Sequence, residues 1–201
     1  MVIPSDVIDY WFGTDYQDGF TVENKNKLWF MGGEEVDKEI TQRFAGALQL
    51  AESDQLQAWQ QTAEGCMALI ILLDQFSRNI YRGTAKAFAN DAKALELAKA
   101  LVEKDLWTTL PLIQRVFILL PYEHSEAIQD QDECLKLMDL MISQAGEKQQ
   151  ERLTGFRHHV LEHRAIIQQF GRFPHRNRVL DRQTTQEEQA YLDGTGKTFG
   201  Q

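Results

Sequence analysis

The sequence has little cysteine, little proline and no long apolar run. Two cysteines and four prolines stand among its 201 residues, so neither a disulfide-rich scaffold nor a proline-rich linker is expected. The longest apolar run, residues 66–73, spans eight residues, whereas a helix that crosses a bilayer needs about 20. Neither Cys66 nor Cys134 has a CxxC partner, which predicts free, buried thiols. Because the first residues also lack the basic region of a secretory signal, we expect a cytoplasmic protein that does not enter the membrane.

Positive charge is scarce overall but concentrated in one segment. The chain carries 30 acidic residues against 21 Lys and Arg, a net charge of -9. The segment 152–182 holds seven arginines, no lysine and two acids, a net charge of +5, and the remainder carries -14. The acidic total argues against a surface that coats nucleic acid or anionic lipid. It leaves open a local site for an anion within the basic segment.

Motifs of several common functional classes are missing. The sequence shows no glycine-rich phosphate loop, GxSxG elbow, EF-hand or zinc-knuckle spacing. The tryptophans, such as Trp11 and Trp59, occupy helix-like positions and are expected in the core rather than on a base-stacking platform. The candidate functional residues are therefore the polar residues that interrupt apolar patterns.

Hydrophobic periodicity predicts helices, with no convincing strand. The helices are predicted to start at Pro4 and stop at Gly13, to cover 34–51, 62–80, 88–102, 130–145 and 149–170, and to run from a capping box at Thr184 or Thr185 to Gly194. A short helix capped by Asp54, and another that is capped by Thr108 or Thr109, has Pro111 in its first turn and ends at Pro121, complete the set. About eight helices with short connections predict an all-α antiparallel array, either a bundle or a short solenoid. A single domain over 1–194 with a frayed tail at 195–201 is expected.

A polar cluster follows the most apolar helix. Asp74 and Arg78 are spaced i, i+4, and Arg82 lies one turn beyond Arg78, with Asn79 beside them. Such an end either reaches a cleft or forms an ion pair with a C-terminal cap. Both interpretations stay open from the sequence.

Two histidines are candidates for acid–base chemistry. His124 follows Glu123 at the end of an apolar helix, and His163 takes a seam position in a helix where leucine is expected. Glu123 or His163 could act as a general base. His159 and His163 are spaced i, i+4 like metal ligands, but the HExxH pattern is absent. We predict a hydrogen-bonded core histidine, with no metal and no cofactor.

The loop after the predicted helix 149–170 contains several side chains that are planar hydrogen-bond donors. Arg172, His175, Arg176 and Asn177 lie between Gly171 and the following helix, and Arg164 precedes them. Guanidinium groups bind carboxylate or phosphate in a bidentate manner and tolerate desolvation better than lysine does. These arginines therefore bind either an anionic ligand or the acids of the same chain, and the sequence leaves both alternatives open.

The polar clusters belong to a longer set of segments that resembles a bacterial family known only as domain of unknown function 924. The segments are Ile8-Asp-Tyr-Trp-Phe-Gly13, Leu28-Trp-Phe30, Asp74-Gln-Phe-Ser-Arg-Asn79, Arg82-Gly83, Ala87-Phe-Ala-Asn-Asp91, Glu123-His-Ser-Glu126, His163, Phe170-Gly-Arg-Phe-Pro-His-Arg-Asn177 and Thr185-Gln-Glu-Glu188. Ser77 stands where the family usually has proline, and Asp181 where it usually has glycine. The resemblance implies an all-helical, tetratricopeptide-like fold, although a 34-residue repeat is not visible. It implies no established activity.

Three functions are compatible with these residues. The first is a binding module whose Arg- and His-lined cleft holds an anionic small molecule or peptide group, with no membrane or nucleic-acid partner. The second is a hydrolase-type enzyme in which Glu123 or His163 moves a proton and the arginines stabilise an anion. The third is a structural protein in which the arginines form an internal ion-pair network.

Overall fold

The computed structural model of the chain describes residues 2–194 and residue 196, and within them nine α-helices surround one large apolar core. The helices are α1 Pro4–Phe12, α2 Glu34–Glu52, α3 Ala63–Ile70, α4 Ser77–Ile80, α5 Asp91–Glu103, α6 Leu112–Glu123, α7 Ile128–Gln144, α8 Glu147–Phe170 and α9 Gln186–Asp193. Short 3-10 turns cover Gln57–Gln61, Ala85–Phe88, Leu106–Thr109 and Pro174–Arg176. The predicted all-α class is confirmed, with nine helices in the described part rather than about eight. The tetratricopeptide-like arrangement stays a prediction.

The central helix is continuous from α3 into α4 through a wider, π-helical segment, Ile71–Phe76. Most of its side chains are buried, as the predicted apolar helix 62–80 requires. It contacts α1, α2 and α5, while α6 packs on α5 and α7, and α7 packs on α8. Neighbouring helices along the chain therefore cover one another, and the polar end of the central helix lies among them.

A small hairpin, which was not predicted, joins α1 to the rest of the chain. Its strands β1 Tyr16–Gln17 and β2 Phe20–Thr21 pair antiparallel, with Tyr16 opposite Thr21. Asp18 and Gly19 between them both have positive φ, as a type I′ turn requires. Strands of two residues are too short to show an alternating pattern, so period-two analysis missed them.

Four predicted helix ends were wrong for local reasons. Pro121 lies inside α6 because the helix continues past the missing N–H, and the N–H of His124 bonds to the carbonyl of Leu120. Asp54 adopts a left-handed conformation with φ +59° instead of capping a helix. Phe88 belongs to the 3-10 turn before α5. Thr108 and Thr109 belong to the 3-10 turn before α6, and Pro111 takes the N-cap position of α6. The ends at Gly13 and Gly171 and the capping box of Thr185 with Glu188 are confirmed.

The remaining fold predictions concern the membrane, the cysteines and the tail. No helix within the described residues is long and apolar enough to span a membrane. Cys66 and Cys134 are buried and free. Apart from residue 196, the predicted frayed tail lies outside the described residues.

Candidate functional site

The π-helical segment places Asp74 in the interior of the protein. The side chain of Asp74 is fully buried, and its Oδ1 lies 2.8 Å from Nδ1 of His124 and 3.1 Å from Nη1 of Arg78. Gln75 donates to its other oxygen at 2.6 Å. Burial alone raises the pKa of Asp74, but the Arg78 charge and the His124 hydrogen bond lower it well below its usual range. Asp74 is therefore an anion held inside the fold by its partners.

Asp91, at the start of α5, connects this pair to the arginine loop. Its carboxylate oxygens lie 3.0 and 3.1 Å from the Arg78 guanidinium, and Nη1 of Arg176 donates to Oδ2 at 3.2 Å. We name Asp74, Arg78, Asp91, His124 and Arg176 the Asp91 cluster. Two guanidinium groups thus share one carboxylate, and segments distant in sequence meet at this point.

Arg176 uses only one of its three guanidinium nitrogens in hydrogen bonds to the part of the chain that the structure describes. Among the described residues, Nη1 is the only one of them that donates a hydrogen bond, and Nε is buried without an acceptor. The guanidinium lies over the rings of Phe88 and Phe173, with its central carbon 4.6 and 4.5 Å from their centroids. Burial and the charge of Arg78 lower the pKa of Arg176 to about 10, although Asp91 opposes them. The Nε/Nη2 edge of a buried cation is therefore left without a hydrogen bond to the described chain.

Two other arginines show what this edge binds elsewhere in the same protein. Arg82 donates hydrogen bonds to the Asp37 carboxylate from Nε at 2.7 Å and from Nη2 at 2.9 Å. Arg172 donates to the Glu188 carboxylate from the same two nitrogens, at 2.6 and 2.8 Å. Both are bidentate contacts between a planar guanidinium and a planar carboxylate. Nε and Nη2 of Arg176 form the same pair of parallel donors, but no carboxylate of the described residues contacts them.

His124 is a neutral imidazole oriented by a carboxylate. Because a carboxylate only accepts, Nδ1 of His124 carries the proton that it donates to Asp74. Burial and the Arg78 charge hold the pKa of His124 below its ordinary value, despite the opposing effect of Asp74. This leaves Nε2 with a lone pair, on a side chain that is 15% exposed. The nearby His175 is also neutral, because burial and Arg176 lower its pKa to about 3.

Glu123 and His163, the two predicted catalytic candidates, form a buried pair with each other. Nδ1 of His163 lies 2.8 Å from Oε1 of Glu123 and 2.9 Å from the carbonyl of His159. Burial raises the pKa of Glu123, but the charge and hydrogen bond of His163 bring it below its ordinary value. The rings of His163 and His124 are 6.2 Å apart. His163 is thus a hydrogen-bonded core histidine beside the Asp91 cluster.

The His159 and His163 side chains do not form a metal-chelating pair. The His159 ring contacts Glu162 at 3.4 Å, and the backbone carbonyl of His159 lies 2.9 Å from Nδ1 of His163. Within the described residues, no group of three or more His, Cys, Asp or Glu side chains is arranged to hold a metal ion.

The other predicted site residues bind carboxylates away from the Asp91 cluster. Asn79 donates to Asp37 at 2.8 Å, next to Arg82. Arg164 contacts Asp132 at 2.6 Å on the surface. Of the predicted arginines, Arg78 and Arg176 lie together at Asp91, and the shared cleft stays a prediction.

Arg172 and Asn177 belong to a second network that fastens the C-terminal segment. Arg172 and Asn177 both donate to Glu188, while Arg182 donates to Asn177 and makes a bidentate contact with Glu126. Arg172, through a hydrogen bond and its charge, lowers the pKa of Glu188 to about 2. This network matches the internal ion-pair interpretation. It holds the loop that presents Arg176.

Sequence reasoning missed the residues that connect the site. Asp91 reads as an ordinary acid in the first turn of a helix, and Phe88 and Phe173 read as core. Their roles depend on contacts between segments that are distant in sequence; Asp91 and Arg176, for example, are 85 residues apart. The resemblance segments did include all three, and that was the only available signal.

Two cavities lie elsewhere in the described part of the chain. A groove of about 340 Å³ runs between the hairpin and α8 and is lined by Phe20, Lys148 and Arg152, among others. A void of about 10 Å³, the size of one water molecule, lies near Leu73 and Lys93. Neither is lined by the Asp91 cluster.

Comparison with known proteins identifies the family. The chain matches the model of the family described as Bacterial protein of unknown function (DUF924) over residues 7–196, and it belongs to this family. Its structure is similar to that of a protein of unknown function from Agrobacterium tumefaciens, with 34% sequence identity, a TM-score of 0.79 and coverage of 94% of this chain and 96% of the other. No curated protein matches the chain. The resemblance found in the sequence is confirmed, and an activity must be argued from the site.

Proposed function

We propose that this member of the DUF924 family is a binding module that holds an anionic group of a small molecule or peptide at the Asp91 cluster. The observation that supports this is the Nε/Nη2 edge of Arg176, which has no acceptor among the described residues and whose Nε is buried. A buried donor left without a partner costs about 1–3 kcal/mol, and more when it is charged. A ligand oxygen at this edge removes that cost, so the site favours the bound state.

The remaining residues of the cluster position Arg176 and balance the charges around it. Arg78 neutralises Asp74 and shares Asp91 with Arg176, which keeps the loop residue in place. His124 offers Nε2 as an acceptor for a hydrogen-bond donor on the ligand. His163, His175 and Asn177 support the loop and the helix end around it. Arg82, Arg164 and Arg172 are left out of the proposed site, because each already binds a carboxylate of the chain.

A thermal-shift experiment tests the proposal with defined anions. Acetate, succinate and inorganic phosphate are added at constant ionic strength to the wild type, to Arg176→Gln and to Arg164→Gln. The proposal expects at least one anion to raise the Tm of the wild type and of Arg164→Gln, while Arg176→Gln shows no rise. Arg164 is the matched control because it pairs with Asp132 on the surface. If Arg176→Gln does not fold, Arg176→Lys keeps the charge and removes the planar edge. Equal shifts in all folded variants contradict the proposal.

The Asp74–His124 pair favours a second candidate function, acid–base catalysis. A neutral imidazole whose Nδ1–H is held by a carboxylate presents Nε2 as a base. In this alternative, His124 takes the role that the sequence suggested for Glu123 or His163, since those two are bonded to each other. A screen of ester and amide substrates should then detect turnover that His124→Gln abolishes and His163→Gln only reduces. Turnover that survives in His124→Gln excludes this alternative.

We also infer that the protein works in the cytoplasm. The support is that Cys66 and Cys134 are both free and buried, whereas oxidising compartments favour disulfides. Localisation of a tagged full-length protein in its native bacterium tests this, and a periplasmic signal contradicts it.

A further inference from the structure

We infer that the anionic group bound at Arg176 is a carboxylate of single negative charge rather than a phosphate. This inference rests on the proposed function and specifies its ligand. Three features of the Asp91 cluster support it: its charge balance, the bidentate pairs found elsewhere in the chain, and the aromatic rings over Arg176.

The charge balance of the cluster leaves no excess positive charge for a dianion. Two guanidinium groups, Arg78 and Arg176, face two carboxylates, Asp74 and Asp91. His124 and His175 add no charge near neutral pH, because their pKa values are lowered. A phosphate monoester carries about -1.5 to -2 at neutral pH. It would lie next to Asp91 with only one cation available, whereas a carboxylate adds a single charge.

Both terminal nitrogens of Arg78 are already used by the protein. Its Nη1 donates to the backbone carbonyl of Asp74 and lies within 3.1 Å of the carboxylates of Asp74 and Asp91, and its Nη2 donates to Asp91. Phosphate sites in proteins usually combine several donors, often from a helix N-terminus or a lysine. At this site the donors come from a single guanidinium edge.

The geometry of that edge matches a planar carboxylate. Arg82 and Arg172 use the same pair of nitrogens to hold Asp37 and Glu188 at 2.6 to 2.9 Å. In Arg176 the rings of Phe88 and Phe173 lie over the guanidinium, so a ligand meets it in the guanidinium plane. A carboxylate that carries an apolar group can form the bidentate contact and pack its apolar part against these rings.

A matched pair of ligands tests the inference. Benzoate and phenylphosphonate share the phenyl ring and differ in charge and shape at the anionic end. Each is titrated into the full-length protein at about pH 8, where the phosphonate is a dianion, and binding is followed by calorimetry and by the NMR signal of the Arg176 Nε–H. We expect benzoate to bind at least about ten-fold more tightly than phenylphosphonate and to shift the Arg176 signal. Arg176→Lys should weaken benzoate binding about ten-fold or more, and the control Arg164→Lys should leave it unchanged.

The possible outcomes separate the inference from the proposed function. If phenylphosphonate binds as tightly as benzoate, and Arg176→Lys weakens both, the carboxylate inference is wrong and the proposed function stands. If neither ligand moves the Arg176 signal, or if binding is the same in Arg176→Lys, both are wrong. Benzoate binding that depends on Arg176 and exceeds phenylphosphonate binding supports both.

Discussion

Replacing Asp91 by asparagine tests whether a partly buried carboxylate, 19% exposed, holds the two buried guanidinium groups of the cluster together. The side chains of Arg78 and Arg176 are both 7% exposed and both contact Asp91. Breaking a buried ion pair on one side costs about 3–5 kcal/mol. We expect about 3 kcal/mol for Asp91→Asn, the lower end of that range, because Arg78 keeps Asp74 as a partner. With an unfolding entropy of about 2.1 cal/mol/K per residue, this loss lowers the Tm by about 7 °C.

The matched control is Asp132→Asn. It makes the same chemical change in a carboxylate that also pairs with an arginine, but its side chain and that of Arg164 are 53% and 28% exposed. An exposed pair contributes about 0.5 kcal/mol, so the Tm should fall by about 1 °C. Urea unfolding and calorimetry measure both variants. Equal losses in the two variants, or an Asp91→Asn protein as stable as the wild type, would refute the argument that burial makes this carboxylate important.

Three further predictions concern separate parts of the molecule. The pKa of His175 is about 3 in the fold, so below about pH 6.5 the unfolded chain binds a proton that the folded chain does not, and stability falls as the pH decreases. In urea titrations, His175→Gln should remove about 1–2 kcal/mol of the stability that the wild type loses between about pH 7 and pH 5. An unchanged pH dependence contradicts this prediction. Asp181 has φ +51°, so Asp181→Gly should stabilise the protein by up to about 1 kcal/mol and Asp181→Val should destabilise it by about 1–2 kcal/mol. If thermal unfolding shows Asp181→Val to be the more stable variant, backbone strain is not the deciding factor. Burial raises the pKa of both the Cys66 and the Cys134 thiol, so neither should react with a disulfide reagent until the protein unfolds, and rapid labelling of the native protein rules this out.

The helices were predictable where a single face of a helix decides the structure. Helix α2 was placed to within one residue, because Ile40, Phe44 and Leu48 repeat at helical spacing and all three are buried. The hairpin was missed although Asp18-Gly19 is a dipeptide that favours type I′ turns. Only two residues on each side form strands, so no alternation was available to support the turn signal.

The sequence indicated the ion pair within one helix but not the contacts between distant segments. The i, i+4 spacing of Asp74 and Arg78 indicated an ion pair, and the structure contains it. Local spacing carries no information about Asp91 and Arg176, which come from different elements. For the same reason the sequence could not show that Arg164 and Arg172 already have carboxylate partners in Asp132 and Glu188.

The π-helical segment determines the rotational phase of everything that follows it in the central helix. Successive residues of an α-helix are rotated by about 100°, so the wider turn over Ile71–Phe76 changes the direction in which Arg78 and Asn79 point relative to α3. Deleting one residue from this segment could restore a regular helix with good backbone hydrogen bonds. It would also turn Arg78 away from Asp91 and Asn79 away from Asp37. The length of the central helix is therefore constrained by the polar side chains at its end, even though the helix itself would accept a shorter sequence.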